Sequence, residues 1–323
     1  MIDVQEISKA RKRIQSIIRK TPIFTSSELS NICGNEIFIK GEHLQKTGSF
    51  KIRGASNKVL ALTEGGGMDF VATASSGNHG QAVAYITNLL DIPSTIVVPT
   101  DVKQCKLNAI QTYNGTIEKC GVTSGERIKR AMELAEEKKG EYIPPYDDDH
   151  IIAGQGTIGL ELLEQIQEID VVVIPIGGGG LVSGNLIALK SLNPKIKVIG
   201  VEPAIANDTY LSFRNKQITA ISSTNTIADG LRTQKPGTLT FEIINKYIDD
   251  IVLVSEAEIK HALQYVYQRT KQMIEPSSAT TIAAVMFDKI PKKQLNVVCV
   301  ASGGNVELEE LFQMLYQPED ILF

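Results

Sequence analysis

Short apolar runs alternate with longer stretches of helical spacing along most of this chain, and that rhythm predicts an α/β protein built on parallel sheet. Ile7, Ala10, Ile14, Ile17 and Ile18 share one face of an N-terminal helix that is expected to stop before Thr21-Pro22. Glu36-Ile37-Phe38-Ile39-Lys40 reads as a strand. A first series follows: a strand at 70–73, a helix from about Gly80 to Leu90, a strand at 95–99, a helix around Val102 to Tyr113, a strand at 116–120 and a charged helix from Ser124 to Lys138. Tyr142 to His150, with Pro144-Pro145 and Asp147-Asp148-Asp149, breaks the rhythm and reads as a crossover between sub-domains. The second series has a helix from Gly156 to Ile166, a strand at 171–176, a helix at 182–191 and a strand at 197–201. A capping box, Ser255-Glu256-Ala257-Glu258, opens a helix through Arg269, and a last strand spans 295–300. The run Val171-Val172-Val173-Ile174-Pro175-Ile176 is apolar throughout, as a central strand buried on both faces requires.

Three glycine-rich turns each follow an apolar strand: Ser75-Ser76-Gly77-Asn78-His79-Gly80, Gly177-Gly178-Gly179-Gly180, and Ser302-Gly303-Gly304-Asn305. In an open parallel sheet such turns gather at the carboxyl ends of the strands, where ligands bind. Four successive glycines between a strand and a helix let the backbone wrap a tetrahedral anion, whereas a purely structural turn needs fewer. Neither GxGxxG nor GxxxxGK[ST] occurs, so a small phosphorylated cofactor fits better than a nucleotide. The stretch Gln45-Lys46-Thr47-Gly48-Ser49-Phe50-Lys51-Ile52-Arg53-Gly54-Ala55 places Lys51 in the first turn of a helix, an end that prefers anions. Two readings stand: an ordinary solvated lysine, or an amine kept near neutrality to react with an aldehyde. A phosphate cradle together with such a lysine suggests pyridoxal phosphate, with Asn78 at the ring hydroxyl and Ser302 at the ring nitrogen. A neutral serine at that nitrogen is expected to leave the pyridine largely unprotonated.

Composition narrows the field. The chain has 323 residues, 42% hydrophobic, enough for two sub-domains. A net charge of -4 with both signs interspersed offers no face for nucleic acid. No apolar run approaches the roughly 18 residues of a membrane span, and the acidic, polar start does not resemble a signal peptide. Cys33, Cys105, Cys120 and Cys299 are far apart, without CxxC spacing, which fits a reducing, cytoplasmic compartment; Cys105 reads as an inert thiol rather than a redox sensor.

Lys46-Thr47-Gly48-Ser49-Phe50-Lys51-Ile52-Arg53-Gly54-Ala55, Ser75-Ser76-Gly77-Asn78-His79, the tetraglycine turn and Ser302-Gly303-Gly304-Asn305 together resemble the fold type II pyridoxal-phosphate enzymes of the serine/threonine dehydratase group. Within it the likeness is strongest to the eukaryotic-type serine racemases. The resemblance runs nearly end to end. It implies a tryptophan synthase β-like α/β fold of two open parallel-sheet domains: a large one of residues 1–67 and 148–323, a small mobile one of 68–147, and the cofactor in the cleft between them. It further implies that Lys51 bonds the cofactor aldehyde, Phe50 packs at the ring, Asn78 meets the ring hydroxyl, Gly177, Gly178, Gly179, Gly180 and Leu181 hold the phosphate, and Ser302 faces the ring nitrogen.

Inverting Cα needs one group to remove a proton on one face and another to deliver one on the opposite face. The resemblance assigns these to Lys51 and Ser76, with loss of the β-hydroxyl, giving pyruvate and ammonia, as a side outlet. As a turn serine alone, Ser76 would leave an ammonia-lyase of serine, threonine or 3-hydroxyaspartate; a non-catalytic amino-acid or nucleotide sensor is the reading from a different class. By the same resemblance Ser75, Ser76, Asn78, His79 and Arg127 meet the amino-acid substrate, although His79 also reads as a brace for its turn and Arg127 as a solvated helix residue. Glu202, the Ala206 carbonyl and Asp208 match a magnesium site (calcium or manganese as alternatives), where surface charges are the plain alternative. Lys46, Thr47, Gln81, Lys106, Tyr113 and Asn305 match an ATP effector site at the interface of a homodimer.

Overall fold

The computed structural model describes residues 2–291 and 293–315, with the side chain of Cys105 outside that description. Its strands are β1 (Ile23–Thr25), β2 (Glu36–Gly41), β3 (Val71–Ala74), β4 (Ser94–Val98), β5 (Thr116–Lys119), β6 (Glu141–Tyr142), β7 (Val171–Pro175), β8 (Lys197–Pro203), β9 (Asp250–Val254) and β10 (Asn296–Ala301). They form a six-stranded sheet of order β1-β2-β10-β7-β8-β9 and a four-stranded sheet of order β5-β4-β3-β6. Every pairing is parallel except β1 with β2. The architecture is therefore α/β with two open sheets.

The apolar run read as a central strand sits where its pattern requires. In β7, Val171 and Val173 enter one core and Val172 and Ile174 the other, so the sheet is covered on both faces. Neighbouring β10 alternates the same way, with Val297 and Cys299 on one side and Val298 and Val300 on the other. The helix Lys51–Glu64 sends Ile52, Ala55 and Val59 into the core of the smaller sheet beside Val71, Val83 and Ile96.

Its other side is tied to the larger sheet by a buried ionic cluster. Arg53 grips Glu42 through Nε at 2.8 Å and Nη2 at 2.8 Å, and Glu161 through Nη1 at 2.7 Å. Lys40 donates to Glu161 at 2.6 Å. Arg53, Lys40 and Glu42 are fully buried, and the cluster pins β2, the lysine-bearing helix and the helix Asp149–Gln165 together.

Several expected boundaries move for identifiable reasons. The helix expected from Gly156 begins at Asp149, because the Asp148 carboxylate accepts from His150 N at 2.9 Å and Ile151 N at 3.1 Å and caps it within the presumed crossover. The N-terminal helix is Val4–Ile14 and ends well before Pro22; Ile17 instead packs into the smaller sheet's core. The capping box holds at Ser255, but the α-helix ends at Tyr265 and one π-helical turn follows. The helix Pro276–Met286 escapes pattern reading because it is buried on nearly every side and has no polar face. The helix Thr238–Tyr247 has no side-chain cap of its own; Asp147, far back in the chain, accepts from Thr238 N and Thr240 N.

Candidate active site

Because β2, β10 and β7 are parallel neighbours, whatever follows them emerges on one edge. The loop to Lys51 follows β2, Ser302 follows β10 and the four glycines follow β7. The first two are joined: Phe50 N donates to Ser302 O at 3.0 Å and Gly304 N to Gly48 O at 2.9 Å. Gly48 has φ +73°, and a Cβ there would fall 2.3 Å from Asn305 Oδ1, so glycine is required at this crossing. The turn from Ser75 to Asn78 leaves β3 of the smaller sheet, and these turns line one cleft of about 980 Å³.

Lys51 is the first residue of its helix and lines this cleft. Its Nζ donates to the Pro145 carbonyl at 2.7 Å and stands 5.2 Å from the Phe50 ring centroid. Removal from water pushes the amine down to about 8, partly opposed by the charge of Glu275. This favours the amine reading over the solvated lysine.

The glycines form a cradle that other residues could not. Gly179 has φ +91° and starts the helix Gly180–Leu192 without any side-chain cap, so the first amides are open to an anion. A Cβ on Gly178 would lie 2.3 Å from the Tyr146 ring, and one on Gly179 would lie 2.8 Å from Thr240 Cβ. Gly177, Gly178, Gly179, Gly180 and Leu181 all line the cleft, as do Phe50, Asn78 and Ser302. A depressed lysine, an uncapped glycine cradle and a serine on the same edge fit pyridoxal phosphate.

Asn78 is engaged on both ends of its amide. Nδ2 donates to Glu275 Oε1 at 2.9 Å and Oε2 at 3.1 Å, and Oδ1 accepts from Asn305 Nδ2 at 2.7 Å. Glu275 is a residue that sequence reading missed. It is buried in the cleft wall, and its carboxyl is pushed up to about 8 by burial and then by the charge of Asp229. Its one sequence signal is an acidic residue directly before a helix-starting proline, Pro276. Tyr146, which covers the glycine cradle, was missed as well.

Ser75, Ser76, His79 and Arg127 line the same cleft. His79 is buried, its Nε2 bonds the Ile143 carbonyl at 3.0 Å, and burial followed by the Lys51 charge pushes it down to about 3. It stays neutral and braces its turn. Arg127 Nη2 donates to Ser124 Oγ at 3.1 Å while Nη1 is buried without a partner, a donor available to an anion.

Glu202 and Asp208 lie outside the cleft lining and are both fully buried. Burial, with Asp208 as neighbour, pushes Glu202 well up; burial also raises Asp208, to about 7. Among the described residues no group of three or more His, Cys, Asp or Glu gathers as a ligand set. Of the effector positions, Gln81, Lys106 and Asn305 line the cleft. Asn305 also donates to Thr47 O at 2.8 Å, and Lys106 pairs with Asp229 at 2.9 Å. Lys46 is exposed, and Tyr113 stacks edge-on against Tyr85 at 5.3 Å; neither is part of the cleft wall. No helix among the described residues is long and apolar enough to cross a membrane.

Residues 14–303 match the family described as pyridoxal-phosphate dependent enzyme. The chain is 44% identical to serine racemase of Dictyostelium discoideum over 318 residues, covering 97% of this chain and 98% of that protein. It is 38% identical to L-threonine ammonia-lyase of Thermotoga maritima over 315 residues, 98% of this chain and 78% of that protein. Its fold is similar to that of maize serine racemase, with TM-score 0.93, 37% identity, and coverage of 98% of this chain and 97% of that one.

Proposed function

Since the chain belongs to the pyridoxal-phosphate dependent enzymes, we propose that it is a serine racemase that also eliminates water from serine to yield pyruvate and ammonia. The observation that carries this reading is Lys51, an amine with its affinity for protons lowered to about 8, in one cleft with the uncapped four-glycine turn and the Ser75-Ser76 turn. Bound at Lys51, the cofactor supplies an electron sink that acidifies the Cα–H bond of an amino acid joined to its aldehyde. Gly177 to Gly180 and Leu181 would hold its phosphate, Asn78 its ring hydroxyl and Ser302 its ring nitrogen.

The chain's own groups do the rest. The substrate carboxylate is met by Ser75 and neighbouring amides, with the unpartnered Arg127 Nη1 as a further donor. Lys51 Nζ, oriented by the Pro145 carbonyl, takes the Cα proton from one face. Ser76 Oγ gives a proton to the opposite face, and the roles reverse for the other enantiomer. If protonated Lys51 instead delivers its proton to the departing β-hydroxyl, water leaves and elimination follows. The similarity to a threonine ammonia-lyase supports a second reading in which Ser76 only shapes its turn. Chiral analysis of products from L-serine separates the two: Ser76→Ala should abolish D-serine formation and spare pyruvate formation. Equal loss of both activities would refute the assignment of Ser76.

Three finer assignments belong to the same reading. A divalent cation, magnesium before calcium or manganese, is held by Glu202, Asp208 and the Ala206 carbonyl; two buried carboxyls with no basic side chain paired to them among the described residues support it. ATP acts as effector through Lys46, Thr47, Gln81, Lys106, Tyr113 and Asn305, supported by the Thr47–Asn305–Asn78 hydrogen bonds that run from that region to the cleft. A homodimer belongs to the same reading, and within each chain segment 68–147 closes over the cleft, supported by the ion pairs Lys103–Glu310 and Lys106–Asp229 that join the N-cap and first turn of its helix Gln104–Gln111 to the opposite wall.

A further inference from the structure

The helix Thr238–Tyr247 begins at Gly237 without a cap of its own and takes one from Asp147, 91 residues earlier. The two carboxylate oxygens divide the work: Oδ2 accepts from Thr238 N at 2.9 Å and Oδ1 from Thr240 N at 3.0 Å. Glycine at 237 makes room for them, since a Cβ there would lie 2.3 Å from Asp147 Oδ1. Thr240, fully buried, reaches the four-glycine turn from this helix start. Its Oγ1 donates to Gly178 O at 2.7 Å, nearer than Gly237 O at 3.2 Å, and its own carbonyl accepts from Ser183 Oγ at 3.3 Å. Ser183 N in turn donates to Gly179 O at 2.9 Å. Thr240 thus brackets the turn that opens the helix Gly180–Leu192.

We propose that Asp147 is a positioning residue for the cofactor phosphate: it seats Thr240 against the Gly178 carbonyl and so fixes the peptide planes of the glycine turn. This rests on the reading that Gly177 to Gly180 and Leu181 hold the phosphate. Four glycines in succession have wide backbone freedom, and a turn left to itself would lose much entropy on ordering around an anion. A peptide unit is planar and trans, so drawing Gly178 O toward Thr240 turns the Gly179 N–H to the opposite side. Asp147 acts on this plane without touching it, through the amide and then the hydroxyl of one threonine. Its neighbours in the chain serve the same site: the Pro145 carbonyl accepts from Lys51 Nζ at 2.7 Å, and the Tyr146 ring lies over Gly178. The crossover therefore orders the lysine and the phosphate turn together.

The test compares the natural protein with Asp147→Ala, Thr240→Val, Thr240→Ser and the double variant Asp147→Ala/Thr240→Val. One readout is the phosphorus-31 resonance of pyridoxal phosphate in the holoenzyme. The other is the preference for pyridoxal phosphate over unphosphorylated pyridoxal in equilibrium dialysis, which a general loss of stability would not change. Asp147→Ala and Thr240→Val should each move the resonance and lower that preference by about tenfold, and the double variant should lose little more than either alone. Thr240→Ser, which keeps the hydroxyl, should stay close to the natural protein. An unmoved resonance in Asp147→Ala, a loss equal for both ligands, or fully additive losses overturns the proposal. Asp147→Ser, with no carboxylate to span two amides, must also lose the preference, and it replaces the alanine variant should that one fail to fold. If Gly178→Ala leaves the preference unchanged, the glycine turn is not the phosphate site and the proposal falls with that reading. A loss in Gly178→Ala without one in Asp147→Ala strikes the role of Asp147 alone.

Discussion

Replacing Arg53 by methionine tests how the lysine-bearing helix is held. Methionine keeps most of the stem volume and removes the guanidinium, leaving Glu42, which is fully buried, and Glu161, at 5% exposure, without their shared partner. Breaking a buried pair by removing one member costs about 3–5 kcal/mol, since the remaining charge stays desolvated. Burial alone would push the Glu42 carboxyl up; the charge of Arg53 and its two hydrogen bonds more than offset that and hold it below the ordinary carboxylate range. A carboxyl with a depressed folded-state pKa contributes stability that is present above its unfolded value and lost as pH falls through the folded one. In Arg53→Met burial is opposed only by the Lys40 charge and the Thr21 hydroxyl, so the carboxyl takes up a proton more readily and the penalty shrinks on acidification. The assay is urea unfolding followed by far-UV circular dichroism, since the chain has no tryptophan, at pH 8 and pH 5 with cofactor concentration fixed. Adding Glu42→Gln should recover part of the loss at pH 8. A loss below about 1 kcal/mol, the range of an exposed pair, or a loss equal at both pH values, would refute the reasoning.

Further outcomes follow from the cleft. Lys51 must be unprotonated to take a proton, so racemisation from L-serine should rise with pH through about 8, with Glu275 titrating in the same window; a rate flat from pH 6.5 to 9 would contradict this. Lys51→Ala should lower turnover by at least ~10²–10⁴-fold and abolish borohydride-stable labelling at position 51, checked by peptide mass mapping. If the proposed cation site is occupied, chelation should lower the thermal midpoint, and magnesium should restore it more effectively at pH 8 than at pH 6, because burial pushes the Asp208 carboxyl up to about 7 and only its ionised form would serve as a ligand; equal restoration at both would count against the site. Gly178→Ala, whose methyl would meet the Tyr146 ring at 2.3 Å, should weaken cofactor binding by about tenfold or more in equilibrium dialysis. Gly125→Ala, with no atom within 4 Å, should leave it unchanged.

Much of this protein is written in local pattern. Val171 to Ile176 could only be a strand covered on both sides, and the four glycines after it could only be a close backbone turn. The position of Lys51 at a helix start came from the spacing of Ala55 and Val59. The helix Pro276–Met286 was illegible for the opposite reason: surrounded by protein, it has no polar stripe to mark its period. The start at Asp149 was hidden because the segment's prolines and aspartates read as a loop, although Asp148 is its cap.

Chain order, glycine placement and hydrophobic period are properties of neighbouring residues, and they alone determined the α/β class, the three turns and the lysine among them. Partnership is not local. Glu275 meets Asn78 across 197 residues and Arg53 meets Glu161 across 108, so their protonation and orientation exist only once the sheets have brought them together. The tertiary structure decided those, because a buried charge takes its energy from whatever surrounds it in space rather than from what precedes it along the chain.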